Sequence, residues 1–183
     1  MKLNKIMVAM GFGLVMMAGT ANAIDDQGHG TVTIKGSIID APCSITPETI
    51  DQTVNLGQVS NVQLKDGGKS NPQSFSIKLE NCDLAADKHT AQITFTGMES
   101  AGNPELIGMT GSAEGASIGL TNGAGTLIKL GEPTDVTIQN GNNTLAFSAY
   151  LQGDPAPAEG TLDGANIVPG TFQSVVSFNL AYP

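Results

Sequence analysis

Two cysteines, Cys43 and Cys82, and two histidines, His29 and His89, are the side chains best suited to metal or nucleophilic chemistry in this sequence. A zinc site takes several His or Cys ligands. If the two cysteines pair with each other, only the two histidines remain, which is too few for such a site. Serine and carboxylate residues are numerous, but we identify no nucleophile elbow and no phosphate loop among them. The sequence therefore predicts no enzyme, no catalytic residue, no metal ligand and no cofactor.

The first 23 residues have the three parts of a secretory signal peptide. Lys2 and Lys5 precede an apolar run from Ile6 to Ala18, and Ala21-Asn22-Ala23 supplies the small residues that signal peptidase requires. The apolar run is shorter than the roughly 20 residues of a membrane-spanning helix. We therefore predict a signal peptide over residues 1–23 and export of a mature chain that begins at Ile24.

In an exported chain, the pair Cys43 and Cys82 is most simply a disulfide. Closing a loop of this length destabilises the unfolded state by about 4 kcal/mol in the chain-entropy model. A metal-binding or catalytic thiol is the alternative, and it needs partner residues that the sequence lacks.

The composition excludes one large class of partner. The chain has 17 acidic residues against 8 lysines, contains no arginine, and carries a formal net charge of -9. Such a surface repels phosphate backbones, so we expect no nucleic-acid binding.

The mature sequence has the pattern of an all-β domain. Short alternating or apolar runs are separated by turn sequences such as Asn122-Gly123 and Asn140-Gly141, which indicates a sandwich. The segment from Gly153 to Gly164, with its two prolines, is predicted to be a loop. The predicted strands are Thr31–Ile39, Thr53–Leu56, Phe75–Leu79, Ala91–Thr96, Ser117–Leu120, Leu127–Lys129, Asp135–Ile138, Thr144–Leu151 and Phe172–Ala181.

Both ends of the mature chain alternate in the manner of a strand. Near the N-terminus, one face would carry Gly30, Val32, Ile34 and Gly36. Near the C-terminus, Ser174 interrupts an otherwise apolar face that comprises Phe172, Val176, Phe178, Leu180 and Tyr182. Periodicity alone leaves open whether the two ends belong to one closed sandwich or pair between molecules.

Four sequence stretches together resemble the chaperone–usher pilins, and in particular the major subunits of type 1-like fimbriae. GTVTIKGSIIDAPCSI (residues 30–45) is similar to the family's donor segment and first cysteine strand, and DQTVNLGQV (51–59) to the stretch that follows. FSIKLENCD (75–83) resembles the second cysteine strand. At the C-terminus, Gly170 is fourteenth from the end and Tyr182 is penultimate, a spacing typical of the family.

The resemblance implies an incomplete immunoglobulin-like sandwich, the pilin fold, which lacks its last strand. It implies a donor-strand extension over residues 24–36 and a pilin domain over residues 37–183. A periplasmic chaperone would first fill the resulting groove with its own strand. At the outer-membrane usher, the extension of the next subunit would replace the chaperone, building a homopolymeric fimbria on the cell surface.

The resemblance also assigns roles to residues. The donor strand would comprise Gly28, Gly30, Val32, Ile34 and Gly36, with Gly30 facing a shallow site in the groove. The strand that lines the groove and contacts the chaperone would comprise Gly170, Phe172, Val176, Phe178, Leu180 and Tyr182.

Two alternatives to a major rod pilin remain. A minor or adaptor pilin would have the same fold and the same donor segment at lower copy number. A secreted binding module with a closed immunoglobulin-like sandwich would have neither an open groove nor an N-terminal arm that leaves the domain.

Overall fold

The computed structural model describes residues 28–86, 88–155 and 166–183, and the chain divides into two units, residues 1–38 and residues 39–183. In the first unit, residues 28–38 form no helix or strand and are exposed. The predicted strand Thr31–Ile39 is therefore wrong for the single chain, because a strand is defined by a hydrogen-bonded neighbour and no ladder includes these residues. The predicted signal peptide lies outside the described residues.

The described part of the second unit consists mainly of short and medium β-strands, with three single-turn helices near its start. Two α-helical turns, α1 and α2, and a 3-10 turn lie between β1 and β2. In chain order the elements are β1 (Ser44–Ile45), α1 (Pro47–Ile50), α2 (Asn61–Leu64), the 3-10 turn (Lys65–Gly67), β2 (Gln73–Cys82), β3 (Thr90–Gly97), β4 (Thr110–Gly111), β5 (Ala116–Asn122), β6 (Leu127–Ile128), β7 (Pro133–Thr137), β8 (Gly141–Gly153), β9 (Phe172–Gln173) and β10 (Val176–Ala181).

The strands form antiparallel sheets. The largest sheet has five strands in the order β1-β2-β8-β5-β6, and a three-stranded sheet has the order β10-β3-β7. Strands β4 and β9 form a separate two-stranded ribbon. Side chains from the five-stranded and three-stranded sheets share one core, in which Phe95 of β3 meets Phe147 of β8 edge to face at 5.3 Å. This is the arrangement of a β-sandwich, as predicted.

Strands β2 and β8 supply the centre of the core because their sequences alternate. Ile77 and Leu79 of β2 are at most 1% exposed, and Phe147 of β8 is 2% exposed. Asn140 directly precedes β8 and Gly141 is its first residue, with a φ of 89°, which a side chain disfavours.

The disulfide predicted between Cys43 and Cys82 is present. It links the start of β1 to the end of β2, and Asp83 donates its backbone N–H to the Pro42 carbonyl at 2.9 Å beside it. Both sulfur-bearing residues are buried. The bridge therefore ties the first residues of the domain to a central strand.

Three further predictions were wrong in detail. The predicted strand Phe172–Ala181 is two strands, β9 and β10, because the chain leaves the ladder with β4 after Gln173 and joins β3 at Val176. Thr53–Leu56 is not a strand, because no other strand lies beside it within the described residues. Gly153 belongs to β8 rather than to a loop, because it pairs with Ala116 and lies so close to the Leu64 carbonyl that a side chain would collide with it. Residues 156–165 of the predicted loop lie outside the described residues.

Candidate functional site

An open, mainly apolar groove of about 800 Å³ runs along the domain formed by residues 39–183. Its floor consists of core side chains from both sheets, and two stretches of chain form its walls. The floor comprises Phe75, Phe95, Ile107, Ile118, Leu120 and Ala149, and the walls comprise residues 50–57 and residues 172–176 with Phe178. Asp51 is the one charged residue that lines it within the described part of the chain.

The C-terminal wall is an edge strand. Strand β10 pairs with β3 on one side, from Val176 opposite Gly97 to Ala181 opposite Gln92, and its other edge has no strand partner in the described residues. Its side chains alternate between half-buried and exposed. An unpaired edge beside an apolar groove is a ready site for the addition of a strand.

The opposite wall, residues 50–57, has no strand neighbour among the described residues. Val54 and Leu56 are half-buried against the core, whereas Thr53 and Asn55 are exposed. The wall is held by side-chain bonds at its start, where Gln52 Nε2 donates to the carbonyls of Thr49 at 3.3 Å and Ser76 at 3.2 Å. No backbone–backbone hydrogen bond forms along 53–56 in the described structure. The groove thus lies between the unpaired edge of β10 and a stretch, residues 53–56, that belongs to no strand ladder in the described structure.

The predicted apolar groove residues lie along one face of the C-terminal segment, but not all of them line the groove. Phe172, Val176 and Phe178 line the groove. Leu180 and Tyr182 continue the same face and pack half-buried against the core without lining the cavity. Their roles in binding a chaperone or a neighbouring subunit remain predictions.

Gly170 lies outside the groove, at a close approach between two chain segments. A Cβ atom there would lie 2.5 Å from the backbone nitrogen of Ala113 and from Ser112. Only glycine fits this position, where the chain approaching β9 packs against residues 112–113. The contact gives a physical reason for a glycine at this distance from the C-terminus.

Burial of the Tyr182 ring raises the pKa of its phenol above the ordinary value. The cause is desolvation, which disfavours the charged phenolate. A neutral, half-buried tyrosine at this position extends the apolar face of β10 toward the C-terminus.

The N-terminal arm, residues 28–38, carries exposed apolar side chains at alternate positions. Val32 is 88% exposed, Ile34 is 90% exposed and Ile38 is 103% exposed. A Cβ built at Gly28, Gly30 or Gly36 would meet no atom within 4 Å. Large aliphatic side chains in this state lose contact with water only when a partner covers them.

Two short motifs were not identified from the sequence. Gly115-Ala116-Ser117-Ile118-Gly119 has the spacing of a nucleophile elbow, but Ser117 lies inside β5 with 0% exposure instead of on an exposed strand-to-helix turn. Its hydroxyl donates to Asp154 Oδ1 and lies 2.6 Å from Ser100 Oγ, so the cluster is a satisfied buried network.

The second overlooked motif, Gly68-Lys69-Ser70, ends like a phosphate loop but leads into a strand rather than a helix. Lys69 Nζ lies 5.0 Å from the centroid of the Tyr150 ring, and Ser70 Oγ accepts the backbone N–H of Leu151 at 2.9 Å. Both side chains thus have structural contacts.

Over residues 28–86, 88–155 and 166–183, no three His, Cys, Asp or Glu residues lie close enough together to hold a metal ion. No helix in these ranges is long and apolar enough to cross a membrane.

Comparison with known proteins agrees with this geometry. The family model described as "Fimbrial protein" matches residues 32–183. The chain is 55% identical to the Fimbria A protein of Serratia marcescens over 185 residues, which covers 100% of this chain and 99% of that protein. It is 49% identical to the Major MR/P fimbria protein of Proteus mirabilis, again over 100% of this chain and 99% of the relative.

Solved structures give the same result. A chaperone–usher pilus rod structure matches with a TM-score of 0.73 at 32% identity, covering 86% of this chain and 97% of the other. The crystal structure of the P pilus rod subunit PapA matches with a TM-score of 0.65 at 31% identity, covering 78% of this chain and 100% of the other.

The open all-β sandwich with its edge-strand groove is thus the pilin fold, and the chain is a structural protein of surface fimbriae. It belongs to the fimbrial protein family.

Proposed function

We propose that this chain is the major, rod-forming subunit of its fimbria and that it polymerises by donating residues of its N-terminal arm to the groove of a neighbouring copy. The observation that carries the proposal is that one chain contains both halves of a strand-addition site. The groove is bordered by the unpaired edge of β10, and the arm exposes Val32 and Ile34 almost fully.

The dimensions of the two halves agree. Alternate residues of an extended strand are ~6.8 Å apart, so the stretch from Val32 to Ile38 spans ~20 Å. The edge of β10 from Val176 to Ala181 offers six residues, which span ~17 Å at the rise of a strand. An inserted arm can therefore pair along the whole edge while its alternate side chains face the groove.

Burial supplies the driving force for this exchange. Full burial of an aliphatic side chain contributes roughly 1.5–3 kcal/mol, so Val32 and Ile34 together contribute roughly 3–6 kcal/mol to each subunit contact. Pairing of the arm with β10 also satisfies backbone groups that otherwise face solvent. Gly30 would face a shallow site in the groove.

A subunit with an open groove needs protection before assembly, because an exposed apolar groove and an unpaired edge promote aggregation. We propose that a periplasmic chaperone fills the groove first and that an outer-membrane usher directs its replacement by the arm of the next subunit. The chain would reach the periplasm after cleavage following Ala23, and it would have no enzymatic activity or cofactor.

Two alternatives are less well supported. A closed secreted binding module is disfavoured by the open edge of β10 and by the exposed aliphatic residues of the arm. A minor or adaptor pilin would share every feature of the groove. Support for a major subunit comes from the relatives of similar length, one of which is named as a major fimbria protein.

The test compares the mature chain with a variant that lacks Ile24–Lys35, each co-expressed with its cognate chaperone and usher. Surface material is run on SDS gels with and without heating. We expect a heat-labile ladder from the mature chain, and none from the deletion variant although it is still captured by the chaperone. A control variant with Thr31→Ser and Thr33→Ser, changed on the opposite face of the arm, should assemble normally.

The outcomes separate the candidates. Monomer from both chains, without chaperone capture, would contradict strand donation and favour the closed module. A ladder that needs a different, more abundant subunit would identify a minor pilin, and quantitative mass spectrometry of purified fimbriae would show this directly.

A further inference from the structure

Ser174 marks the point where the C-terminal segment crosses from one sheet to another. Phe172–Gln173 (β9) pairs with Thr110–Gly111 (β4), whereas β10 pairs with β3. Ser174 and Val175 lie between these ladders and belong to neither. The serine that interrupts the apolar alternation in the sequence is therefore a junction residue, and it lines the groove.

The Ser174 hydroxyl fixes this junction to the rest of the domain. Ser174 Oγ donates to the Gly108 carbonyl at 2.7 Å. Gly108 in turn donates its N–H to the Met98 carbonyl at 2.7 Å, and the preceding Ile107 exchanges backbone hydrogen bonds of 2.8 and 2.9 Å with Ile118 of β5. One side-chain hydrogen bond thus connects the groove wall to the five-stranded sheet.

A neighbouring hydrogen bond supports the same junction. Thr110 Oγ1 donates to the Gln173 carbonyl at 3.1 Å. On the other side of the junction, Val175 is 74% exposed, and the ladder between β10 and β3 begins at Val176. The edge available to an inserted strand therefore has a defined end, and Ser174 holds that end in place.

A defined end matters because the apolar face of the arm can be directed at the groove in more than one register along β10. A strand that slips by two residues presents the same face to the groove, so Val32 and Ile34 could exchange places with neighbouring alternate positions without exposing an apolar residue. A fixed feature at one end of the edge can distinguish these registers, whereas the apolar floor alone distinguishes them weakly.

We propose that Ser174 is a positioning residue that sets the register of the donated strand, through its hydrogen bond to the Gly108 carbonyl. This inference rests on the strand donation proposed above. Ser174 is the one polar residue on the C-terminal face. Its role in assembly would be positioning, whereas its apolar neighbours contribute burial.

The test measures register directly. The mature chain carrying Asn179→Cys, on the exposed face of β10, is held by its cognate chaperone and mixed with synthetic peptides of residues 28–39. Each peptide carries one cysteine in place of Thr31, Thr33 or Lys35, which alternate with the apolar residues. Oxidation then reports which peptide position lies opposite residue 179, and mass spectrometry quantifies the three cross-linked products.

We expect one product to dominate with Ser174 in place. Ser174→Ala should reduce the preference for that product about fivefold, the factor that corresponds to loss of one ordinary hydrogen bond. Ser174→Thr, which keeps the hydroxyl, should restore the preference. Ser177→Ala, which removes an exposed hydroxyl on β10 itself, should leave the distribution unchanged.

The outcomes distinguish this proposal from strand donation itself. An unchanged distribution in Ser174→Ala, with the peptide bound, would overturn the register role alone. No cross-link from the Ser174 chain at any position would overturn strand donation and the register role together. If Ser174→Ala is not captured by the chaperone, Ser174→Val, which has the shape of the threonine variant without its hydroxyl, is measured in its place, and an unchanged distribution there would also contradict the proposal.

Discussion

The N-terminal arm and the C-terminal segment 172–182 share one sequence pattern and differ in burial. Val32 and Ile34 in the arm are 88% and 90% exposed, whereas Val176 and Phe178 are half-buried against the core. Strand β10 has a ladder to β3 along one edge, and the residues of the arm belong to no ladder. Alternation therefore specifies an apolar face, and burial of that face depends on what lies beside it.

The difference also shows what each segment contributes. The arm supplies an apolar face on an extended segment, and the groove supplies an apolar surface beside the unpaired edge of β10. In the proposed fibre, each completes the other in a neighbouring subunit. Substitutions in the two segments should therefore separate subunit stability from subunit assembly.

Ile34→Asp should have the largest effect on assembly and almost none on the subunit. Ile34 is nearly fully exposed in the subunit, so its replacement removes no contact there. In the fibre, lost aliphatic burial and the desolvation of a carboxylate should weaken each contact by about 3 kcal/mol or more. The measurement is the heat-labile ladder, together with thermal unfolding of the chaperone-bound subunit.

Thr33→Asp is the matched control for this change, because Thr33 lies on the opposite face of an extended arm. It should assemble nearly normally. Loss of the ladder in both variants would show that charge in the arm, and not loss of the apolar face, prevents assembly.

Removal of the disulfide should act on the domain without involving the arm. Replacing Cys43 and Cys82 together by serine should lower the free energy of unfolding by about 4 kcal/mol, because the unfolded chain regains the entropy of the loop. Urea unfolding of the chaperone-held subunit and its periplasmic abundance would measure the loss. Unchanged abundance and chaperone capture would show that the bridge is dispensable.

Phe178→Ala should weaken both subunit and fibre, in contrast to Ile34→Asp. Phe178 packs near Phe95 with ring centroids 6.3 Å apart, and it also lines the groove. Truncation of a half-buried aromatic ring should cost about 2 kcal/mol in the subunit, less than for a fully buried one. Asn179→Ala, on the exposed face of β10, should change neither property in the same assays.

The smallest expected effect is a loss of stability at high pH. Burial raises the pKa of the Tyr182 phenol, so its stabilising contribution is fully present below the ordinary value of about 10. That contribution is lost as the pH rises through the higher pKa of the folded state, because the phenolate favours the unfolded chain. Thermal unfolding between pH 9 and about 11.5 should show a smaller decline in Tyr182→Phe than in the unsubstituted chain.

Much of the fold could be predicted from sequence pattern. The central strands alternate strongly, so Phe75–Leu79, Ala91–Thr96 and Thr144–Leu151 were each found within a longer observed strand. The disulfide followed from there being two cysteines in an exported chain. The single-turn helices α1 and α2 were missed, because four residues are too few to show a helical period.

The candidate site was predicted in part. Phe172, Val176 and Phe178 were identified as groove residues from alternation and family resemblance, and they line the groove. The opposite wall at residues 50–57 was not recognised. Its alternation of Val54 and Leu56 suggested an ordinary strand, and nothing local indicates that the neighbour of such a strand is absent.

Local sequence is enough to show which faces are apolar, because side-chain alternation is a local property of an extended chain. It also shows the cysteine pair, and it predicts an export signal and the two ends that the proposed exchange would bring together. Three properties could be seen only in the tertiary structure. Strand β10 is an edge, and residues 50–57 form the facing wall. Ser174 holds the junction between two sheets. These properties depend on which strands lie side by side, and such pairings join residues far apart in the chain, as between Ser174 and Gly108.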